Sequence, residues 1–375
     1  MKNLGFVLVI IISLIIGLSL LQSSQTTMSE DSAIKSGQQI QGADFQTSSP
    51  AQVTQIAQNL DTPWSLVFLP DKSMLVTERV GRVRIIDAGG NLQSEPVAVI
   101  EKAKEIGEGG LLGIALHPAF SDNNSVYLYY TYSAEGENTK NRVVQMTYRD
   151  KKLSDEKIIV DNISGASNHN GGRIKFGPDG FLYITTGDAQ NPSQAQDKAS
   201  LAGKILRVTD QGNPAPDNPF GNLVYSYGHR NPQGITWDAS GQLWETEHGP
   251  STKDEINRIE KGKNYGWPDI TGDETKQGME TPVLNSGTNT WAPSGTVFFR
   301  NSVFFAGLRG QALFEAKTEG GNMSPEEHFK GEFGRIRDVI LGPDNMFYIA
   351  TSNQDGRGLP KDTDDRIIKL NPQKL

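Results

Sequence analysis

The feature that most restricts the fold of this chain is a pattern that occurs six times after about residue 50. In each copy, a turn containing Pro, Asp, Asn or Gly leads into a run of β-branched and aromatic residues, as in a β-hairpin. The six copies are 70–77, 122–129, 178–185, 238–245, 300–306 and 343–350. They begin about 43 to 62 residues apart, a period typical of the blades of a β-propeller.

The rest of this region agrees with an all-β fold. After residue 50 the sequence has no long stretch of apolar residues with the helical period, so few helices are expected. The sequence therefore predicts one six-bladed β-propeller of four-stranded antiparallel blades over residues 51–375. Because ring closure removes exposed sheet edges, we expect a strand at 53–57 to complete a blade with a C-terminal strand at 366–370.

The N-terminus precedes this domain and differs from it in composition. Lys2 is followed by an uncharged apolar run that ends at Leu21, and then by a stretch rich in Ser, Thr and Gln up to residue 50. We interpret 1–21 as a signal peptide or a membrane anchor, and 22–50 as a polar linker. Both alternatives predict an extracytoplasmic location: secreted, periplasmic, or tethered to the outer face of the cytoplasmic membrane.

Composition excludes several classes of function. The chain has no Cys, so it contains no disulfides and no Cys-ligated metal sites. Its formal net charge is −8 and no basic stripe is visible, which argues against nucleic acid as a partner.

Function in a propeller has to be sought in its loops, because the fold is shared by enzymes and binding proteins. His169 lies in a Gly-rich loop, and Asp188 follows the next β-rich run, as in an oriented general base. Gly249 and Pro250 leave main-chain carbonyls free to face a hard cation such as Ca²⁺. Taken alone, a loop histidine is more often a solvated surface group, and Gly-Pro is more often a plain turn.

Several uncommon motifs occur together and in order. They are His-Asn-Gly-Gly-Arg at 169–173, Gly-His-Arg-Asn-Pro-Gln-Gly at 228–234, Glu-His-Gly-Pro at 247–250, Asp-Glu-Ile-Asn at 254–257 and Asn-Tyr-Gly-Trp-Pro at 264–268. In this combination the chain resembles the soluble quinoprotein glucose dehydrogenases, and most closely their aldose sugar dehydrogenase branch. The resemblance covers essentially all of 51–375.

The resemblance implies an oxidoreductase that depends on pyrroloquinoline quinone (PQQ) and Ca²⁺. Such an enzyme oxidises an aldose sugar at its anomeric carbon C1 to the lactone and passes electrons to an external acceptor, a cytochrome, a quinone or another molecule. The resemblance implies that His169 takes the proton of the anomeric hydroxyl and that Asp188 orients His169. Arg230 matches the arginine that binds the quinone carbonyl, where a fixed cation stabilises developing charge.

The same resemblance implies a cofactor site. Asn231 would hold PQQ, and Arg335 and Arg337 would bind its carboxylates, a task suited to the guanidinium group. The main-chain carbonyls of Gly249 and Pro250 would bind the catalytic Ca²⁺, which acts as a Lewis acid.

Two positions depart from the glucose dehydrogenase pattern. Glu108 stands where that group has a Gln that contacts the sugar or the cofactor; we place it with the cofactor-binding residues, and a carboxylate there can also accept a hydrogen bond from a sugar hydroxyl. Arg309 lies near the position of a cofactor-binding Lys and retains its charge. We expect the tryptophans in β or turn contexts to pack within blades: Trp64, Trp237, Trp244 and Trp267.

Two other functions are compatible with a propeller. A Ca²⁺-dependent sugar-lactone hydrolase would need a cage of carboxylates and Asn around one metal, and would not need Arg230, Arg335 and Arg337. A non-catalytic extracellular binding propeller would be expected to lose His169 or Asp188, and both are present.

Overall fold

In the computed structural model, the described residues 52–135, 138–318 and 325–375 form six four-stranded antiparallel sheets. The predicted all-β propeller is therefore confirmed. The predicted signal or anchor segment (1–21) and the linker (22–50) lie outside the described residues.

Each sheet is one blade, and in five of the six blades the strands follow one another in the chain. Blade 1 contains β2 (Pro63–Phe68), β3 (Met74–Glu78), β4 (Arg82–Ile86) and β5 (Ala98–Val99). Blade 2 contains β6 (Leu111–Leu116), β7 (Ser125–Ser133), β8 (Thr139–Arg149) and β9 (Lys152–Gly165). Blade 3 contains β10 (Ile174–Phe176), β11 (Leu182–Thr186), β12 (Lys204–Val208) and β13 (Val224–Tyr227).

Blades 4 and 5 have the same order, and blade 6 takes its fourth strand from the start of the domain. Blade 4 contains β14 (Pro232–Trp237), β15 (Leu243–Glu247), β16 (Glu255–Ile259) and β17 (Leu284–Asn285). Blade 5 contains β18 (Pro293–Phe299), β19 (Ser302–Gly307), β20 (Ala312–Lys317) and β21 (Glu326–His328). Blade 6 contains β22 (Ile336–Leu341), β23 (Phe347–Thr351), β24 (Ile367–Leu370) and β1 (Val53–Ala57).

Blade 6 is completed by strands from both ends of the domain. The strand Val53–Ala57 pairs antiparallel with Ile367–Leu370, with Val53 opposite Leu370. This confirms the closure predicted from the sequence, and β1 covers the edge that β24 would otherwise expose.

Helices are short and few in the described part of the chain. They are an α-helix at Phe120–Asn123 and 3₁₀ helices at Pro192–Ala195 and Pro372–Lys374. None of the helices among the described residues is long and apolar enough to cross a membrane.

The six repeated segments form the turn between the first and second strands of each blade. In five blades, an Asp or Asn side-chain oxygen accepts a hydrogen bond from the backbone N–H two residues later, which stabilises the turn locally. The pairs are Asp71 with Ser73, Asn123 with Ser125, Asp179 with Phe181, Asp238 with Ser240, and Asp344 with Met346. In blade 5, Arg300 and Asn301 take positive φ values of 49° and 61° in a two-residue hairpin turn.

The first strands line a central channel, and apolar side chains fill the space between neighbouring blades. Blades 2 and 3, for example, share a core that contains Tyr129, Ile163, Ile174 and Ile184. At the end of the ring where the six turns lie, the first strands surround a cavity of about 590 Å³. Because neighbouring strands are antiparallel, the loops that enter each first strand lie at the opposite end, with the loops between second and third strands.

Candidate active site

The motif loops meet at the end of the ring opposite the six turns. They surround a cleft of about 340 Å³, a size within the usual range of small-molecule sites, about 300–1,000 Å³. Eight of the ten residues implicated by the sequence line it: Glu108, His169, Arg230, Gly249, Pro250, Arg309, Arg335 and Arg337. The other two, Asp188 and Asn231, are fully buried in its wall.

His169 and Asp188 form a close pair. His169 Nδ1 lies 2.8 Å from Asp188 Oδ1, and the histidine side chain is 19% exposed toward the cleft. Asp188 Oδ1 also accepts from the Gln190 N–H at 2.8 Å, and Asp188 Oδ2 accepts from Trp267 Nε1–H at 2.8 Å. Both carboxylate oxygens are therefore acceptors, so Nδ1 of His169 carries the proton and Nε2 has the free lone pair.

The backbone of His169 is held in an uncommon conformation. Its φ is +61°, in the left-handed region that residues with a Cβ rarely adopt. Its N–H donates to Glu108 Oε2 at 3.0 Å. The carbonyl of His169 lies against Gly187, where a Cβ would come within 2.0 Å of that oxygen. Only glycine fits at 187, which brings the histidine loop onto the strand end that carries Asp188.

The backbone of Arg230 is fixed by the buried carboxylate of Glu247. The Arg230 backbone N–H donates to Glu247 Oε2 at 2.6 Å, and its Nη1 donates to the carbonyl of His248 at 3.2 Å. The guanidinium carbon lies 5.3 Å from the centre of the Trp267 ring, within cation–π range. Burial lowers the pKa of Arg230 from its usual value, while the nearby carboxylates of Asp188 and Glu247 oppose that effect.

Arg335 and Arg337 share a buried carboxylate. Arg335 Nε and Nη2 donate to Asp355 Oδ2 at 2.9 and 2.7 Å, and Arg337 Nη2 lies 3.8 Å from the same oxygen. Arg337 Nη1 donates to Gln233 Oε1 at 2.7 Å. Burial lowers the pKa of Arg337 to about 9, and the opposing charge of Asp355 supports its cationic form.

Gly249 and Pro250 end a loop that Asp254 organises. Asp254 Oδ1 accepts from the Gly249 N–H at 2.9 Å, and Asp254 Oδ2 accepts from the N–H groups of Trp291 and Ala292 at 2.6 and 2.8 Å. Among the described residues, no hydrogen bond reaches the carbonyl oxygen of Gly249 or Pro250. Two adjacent unpaired carbonyls at a cleft are suitable ligands for a hard cation.

The cleft is strongly cationic. Its lining contains five arginines and two carboxylates: Arg230, Arg309, Arg335, Arg337, Arg357, Glu108 and Asp254. Within the described part of the chain, three buried nitrogens of cleft-lining side chains lack a hydrogen-bond partner: Arg230 Nε, Arg337 Nε and His248 Nε2. The two guanidinium nitrogens favour an anionic ligand with several acceptor oxygens.

Comparison with known proteins agrees with this arrangement. Residues 60–361 match the family described as Glucose / Sorbosone dehydrogenase. The chain belongs to this family. The curated aldose sugar dehydrogenase YliI of Escherichia coli is 33% identical over 347 residues, which cover 84% of this chain and 91% of the relative. Quinoprotein glucose dehydrogenase B of Acinetobacter calcoaceticus is 35% identical over 270 residues, 62% of this chain and 56% of that one.

One solved structure with a similar fold is of a protein with its cofactor bound. It is the PQQ-bound form of aldose sugar dehydrogenase from Streptomyces coelicolor. It is 39% identical to this chain, has a TM-score of 0.80, and the match covers 86% of this chain and 99% of that one. The resemblance to the quinoprotein sugar dehydrogenases that the motifs indicated is therefore confirmed.

One expectation about this member of the glucose/sorbosone dehydrogenase family was wrong. Trp64 and Trp244 are buried in blade cores as expected. Trp267 instead contacts the candidate site, because its indole N–H donates to Asp188 and its ring lies beside Arg230. The sequence motif at 264–268 contains this tryptophan but does not indicate its partner, because Asp188 lies 79 residues away in the chain.

The structure also qualifies the expected role of two polar residues. Both carboxylate oxygens of Glu108 already accept protein hydrogen bonds, from His169 N–H and from Arg357. The Asn231 side chain accepts from the Gly171 N–H at 3.0 Å and lies behind the cleft lining. Sequence reasoning did not single out Glu247, Asp254, Asp355 or Arg357. The first two lie inside quoted motifs, which was the available signal.

Proposed function

We propose that this protein catalyses the PQQ- and Ca²⁺-dependent oxidation of aldose sugars at C1 to the lactone. The observation that carries the proposal is the His169–Asp188 pair, which faces a cationic cleft beside two unpaired carbonyls. The PQQ-bound form of the Streptomyces protein and the sugar dehydrogenase names of the relatives support it.

His169 acts as the general base of this reaction. With Nδ1 donating to Asp188, Nε2 accepts the proton of the anomeric hydroxyl. The buried carboxylate of Asp188 stabilises the imidazolium that forms and keeps the ring in its productive orientation. As the O–H bond breaks, the C1–H bond is also lost as hydride and C1 becomes a carbonyl, which in a cyclic aldose is the lactone.

The residues present fit PQQ. When bound, this quinone supplies the two-electron oxidant that accepts the hydride. Arg335, Arg337 and Arg309 provide cations for its carboxylates, and Arg230 provides a guanidinium for a quinone carbonyl. The buried Nε–H groups of Arg230 and Arg337 that lack partners are donors that such a ligand would satisfy.

The carbonyls of Gly249 and Pro250 would hold Ca²⁺. Asp254 fixes this loop through the Gly249 N–H, so both carbonyls are positioned before the ion arrives. A divalent cation there polarises a bound oxygen ligand as a Lewis acid.

The electrons then leave to an external acceptor. An N-terminal segment that exports or anchors the protein would place this reaction outside the cytoplasm, with a cytochrome or a quinone as the acceptor.

The hydrolase alternative is less well supported. Within the described part of the chain, two groups of side chains could each hold a metal: His229, Glu245 and Glu247, and Glu315, Glu326 and His328. None of these six residues lines the cleft of about 340 Å³. A metal-centred lactone hydrolase would require such a cage where substrate enters.

The test uses the purified protein, stripped of cofactor, with PQQ and Ca²⁺ added singly and together. Dye reduction is measured against a panel of aldoses, with His169→Ala as the matched variant. We expect turnover only when PQQ and Ca²⁺ are both present. In His169→Ala, the turnover rate should fall about 10²–10⁴-fold. Failure to retain PQQ or reduce the dye, together with hydrolysis of sugar lactones, would reject the dehydrogenase.

A further inference from the structure

We infer that Arg357 is a positioning residue for the catalytic base, because it clamps the two loops that hold His169. This inference rests on the proposed role of His169 as base. Arg357 lies in the loop between β23 and β24 of blade 6, and its side chain reaches across the mouth of the cleft.

Arg357 contacts two loops from other blades at once. Its Nη1 donates to Glu108 Oε1 at 2.5 Å, and its Nη2 donates to Asn168 Oδ1 at 2.6 Å. Glu108 precedes the first strand of blade 2, and Asn168 precedes the first strand of blade 3. These partners are 249 and 189 residues away in the chain, so the contact links three blades.

Both partners of Arg357 are joined to the backbone of His169, one by a hydrogen bond and one through the chain. The second oxygen of Glu108 accepts the His169 N–H at 3.0 Å, and Asn168 is the residue immediately before His169. The Glu108 N–H also donates to the carbonyl of Ser167 at 2.7 Å, which joins the two loops through their backbones. Arg357 therefore restrains the histidine backbone on its N-terminal side, while Asp188 restrains its ring.

The restraint matters because His169 has an uncommon backbone conformation. At φ +61°, a residue with a Cβ stays in place only where its surroundings hold it. Without Arg357, Glu108 loses its ion pair and becomes free to rotate away from the His169 N–H. The base would then sample positions in which Nε2 does not face the anomeric hydroxyl.

The backbone of Arg357 is anchored, and its side chain is 51% exposed. Its backbone N–H donates to Asp355 Oδ1 at 2.9 Å, and the other oxygen of Asp355 binds Arg335. One carboxylate therefore connects a predicted cofactor-binding arginine with the arginine that clamps the base.

The guanidinium group is required for this contact. Its planar fork presents two N–H groups to two separate acceptors, whereas a lysine ammonium is a single point charge on a flexible chain. We expect Arg357→Lys to retain the contact with Glu108 or with Asn168, and to show a loss intermediate between wild type and Arg357→Ala.

The first experiment measures steady-state kinetics of the full-length protein reconstituted with PQQ and Ca²⁺. In Arg357→Ala, we expect kcat to fall about 10- to 100-fold, since small displacements of catalytic groups have effects of this size. KM should change less than threefold. The matched control is Arg258→Ala, which breaks an exposed ion pair with Glu260 and should leave kcat within twofold. A raised KM with unchanged kcat would overturn the inference and make Arg357 a substrate contact.

The second experiment does not depend on turnover. Hydrogen exchange of the amides at 166–172 is measured in the protein without cofactor or sugar. Arg357→Ala should increase exchange of the His169 amide at least about tenfold, and Arg258→Ala should not. Unchanged exchange would overturn the clamp. An inactive wild-type holoenzyme would refute the proposed function, while the exchange result would still decide whether Arg357 holds this loop.

A double-mutant comparison tests the route through Glu108. If Arg357 acts on the base through this carboxylate, the losses in kcat for Arg357→Ala and Glu108→Gln should combine to less than their product. Losses that multiply fully would show that the two side chains act independently, which contradicts the inference.

Discussion

Replacing Asp188 by Asn tests the base most directly. The side chain is fully buried and accepts three hydrogen bonds: from His169 Nδ1 and the Gln190 N–H at Oδ1, and from Trp267 Nε1 at Oδ2, each at 2.8 Å. An Asn oxygen would satisfy the two donors at Oδ1, so its amide nitrogen would face the indole N–H. The ring of His169 keeps its orientation, while the negative charge beside it is lost.

The size of the effect follows from that charge. The charges of an imidazolium and a carboxylate in this contact are centred about 4 Å apart, and at an effective dielectric constant of about 20 they attract by about 4 kcal/mol. In the Asn variant, a transition state with the proton half transferred loses about half of this attraction, and a transition state with complete transfer loses all of it. At about 1.4 kcal/mol for each factor of ten, kcat should fall about 30- to 1,000-fold.

The assay compares kcat for the reconstituted Asp188→Asn variant with that of Asp217→Asn. Asp217 is an exposed carboxylate paired with Arg207 and Lys261, so its variant controls for a lost charge elsewhere on the protein. PQQ affinity should stay within about threefold in both variants. A kcat within threefold of wild type in Asp188→Asn would refute the argument that this carboxylate supports the base.

Three further perturbations have defined outcomes. A Cβ at Gly249 would lie 2.1 Å from the carbonyl oxygen of Thr252, so Gly249→Ala should displace the loop. In a calcium titration, the concentration that gives half-maximal activation should rise at least about tenfold. An unchanged titration would contradict the assigned carbonyl ligands. Trp267→Phe removes the hydrogen bond from the indole N–H to Asp188. Because one hydrogen bond is worth about 1–1.5 kcal/mol, kcat should fall about five- to tenfold. The melting temperature of the variant is the control for folding. Burial raises the pKa of Glu255 to about 8, so between the usual carboxyl pKa and pH 8 the folded state keeps a proton that the unfolded state releases. On going from pH 6 to pH 8, Glu255 therefore contributes a loss of stability to the calcium-free protein. Glu255→Gln removes that contribution, so its melting temperature should change in a more positive direction than that of the wild type over the same pH step; an equal change in both proteins would contradict the raised pKa.

Much of the fold was predictable because its determinants are local. The turn residues Asp71, Asp179, Asp238 and Asp344 each bind a backbone N–H two positions ahead. A hydrogen bond over two residues depends only on the nearby sequence, so the turn pattern and the spacing of the repeats indicated the blades. Strand pairing at the ring closure was expected on a different ground, because closing the ring removes exposed sheet edges.

The candidate site was predictable where the motif loops themselves supply it. His169, Arg230, Gly249 and Pro250 line one cleft, because loops that enter first strands and loops between second and third strands share one end of an antiparallel propeller. The topology alone therefore brings these motifs together, whatever their separation in the chain.

The sequence by itself determined the blades, their number, the closure of the ring and the loops that carry the chemistry. Only the tertiary structure decided which side chains meet there: Trp267 with Asp188, Asp355 with Arg335, and Arg357 with Glu108. These pairs join residues from 20 to 249 positions apart. Such contacts depend on the path and height of each loop above the ring, which follow from the packing of neighbouring blades and leave no periodic or local signal in the chain.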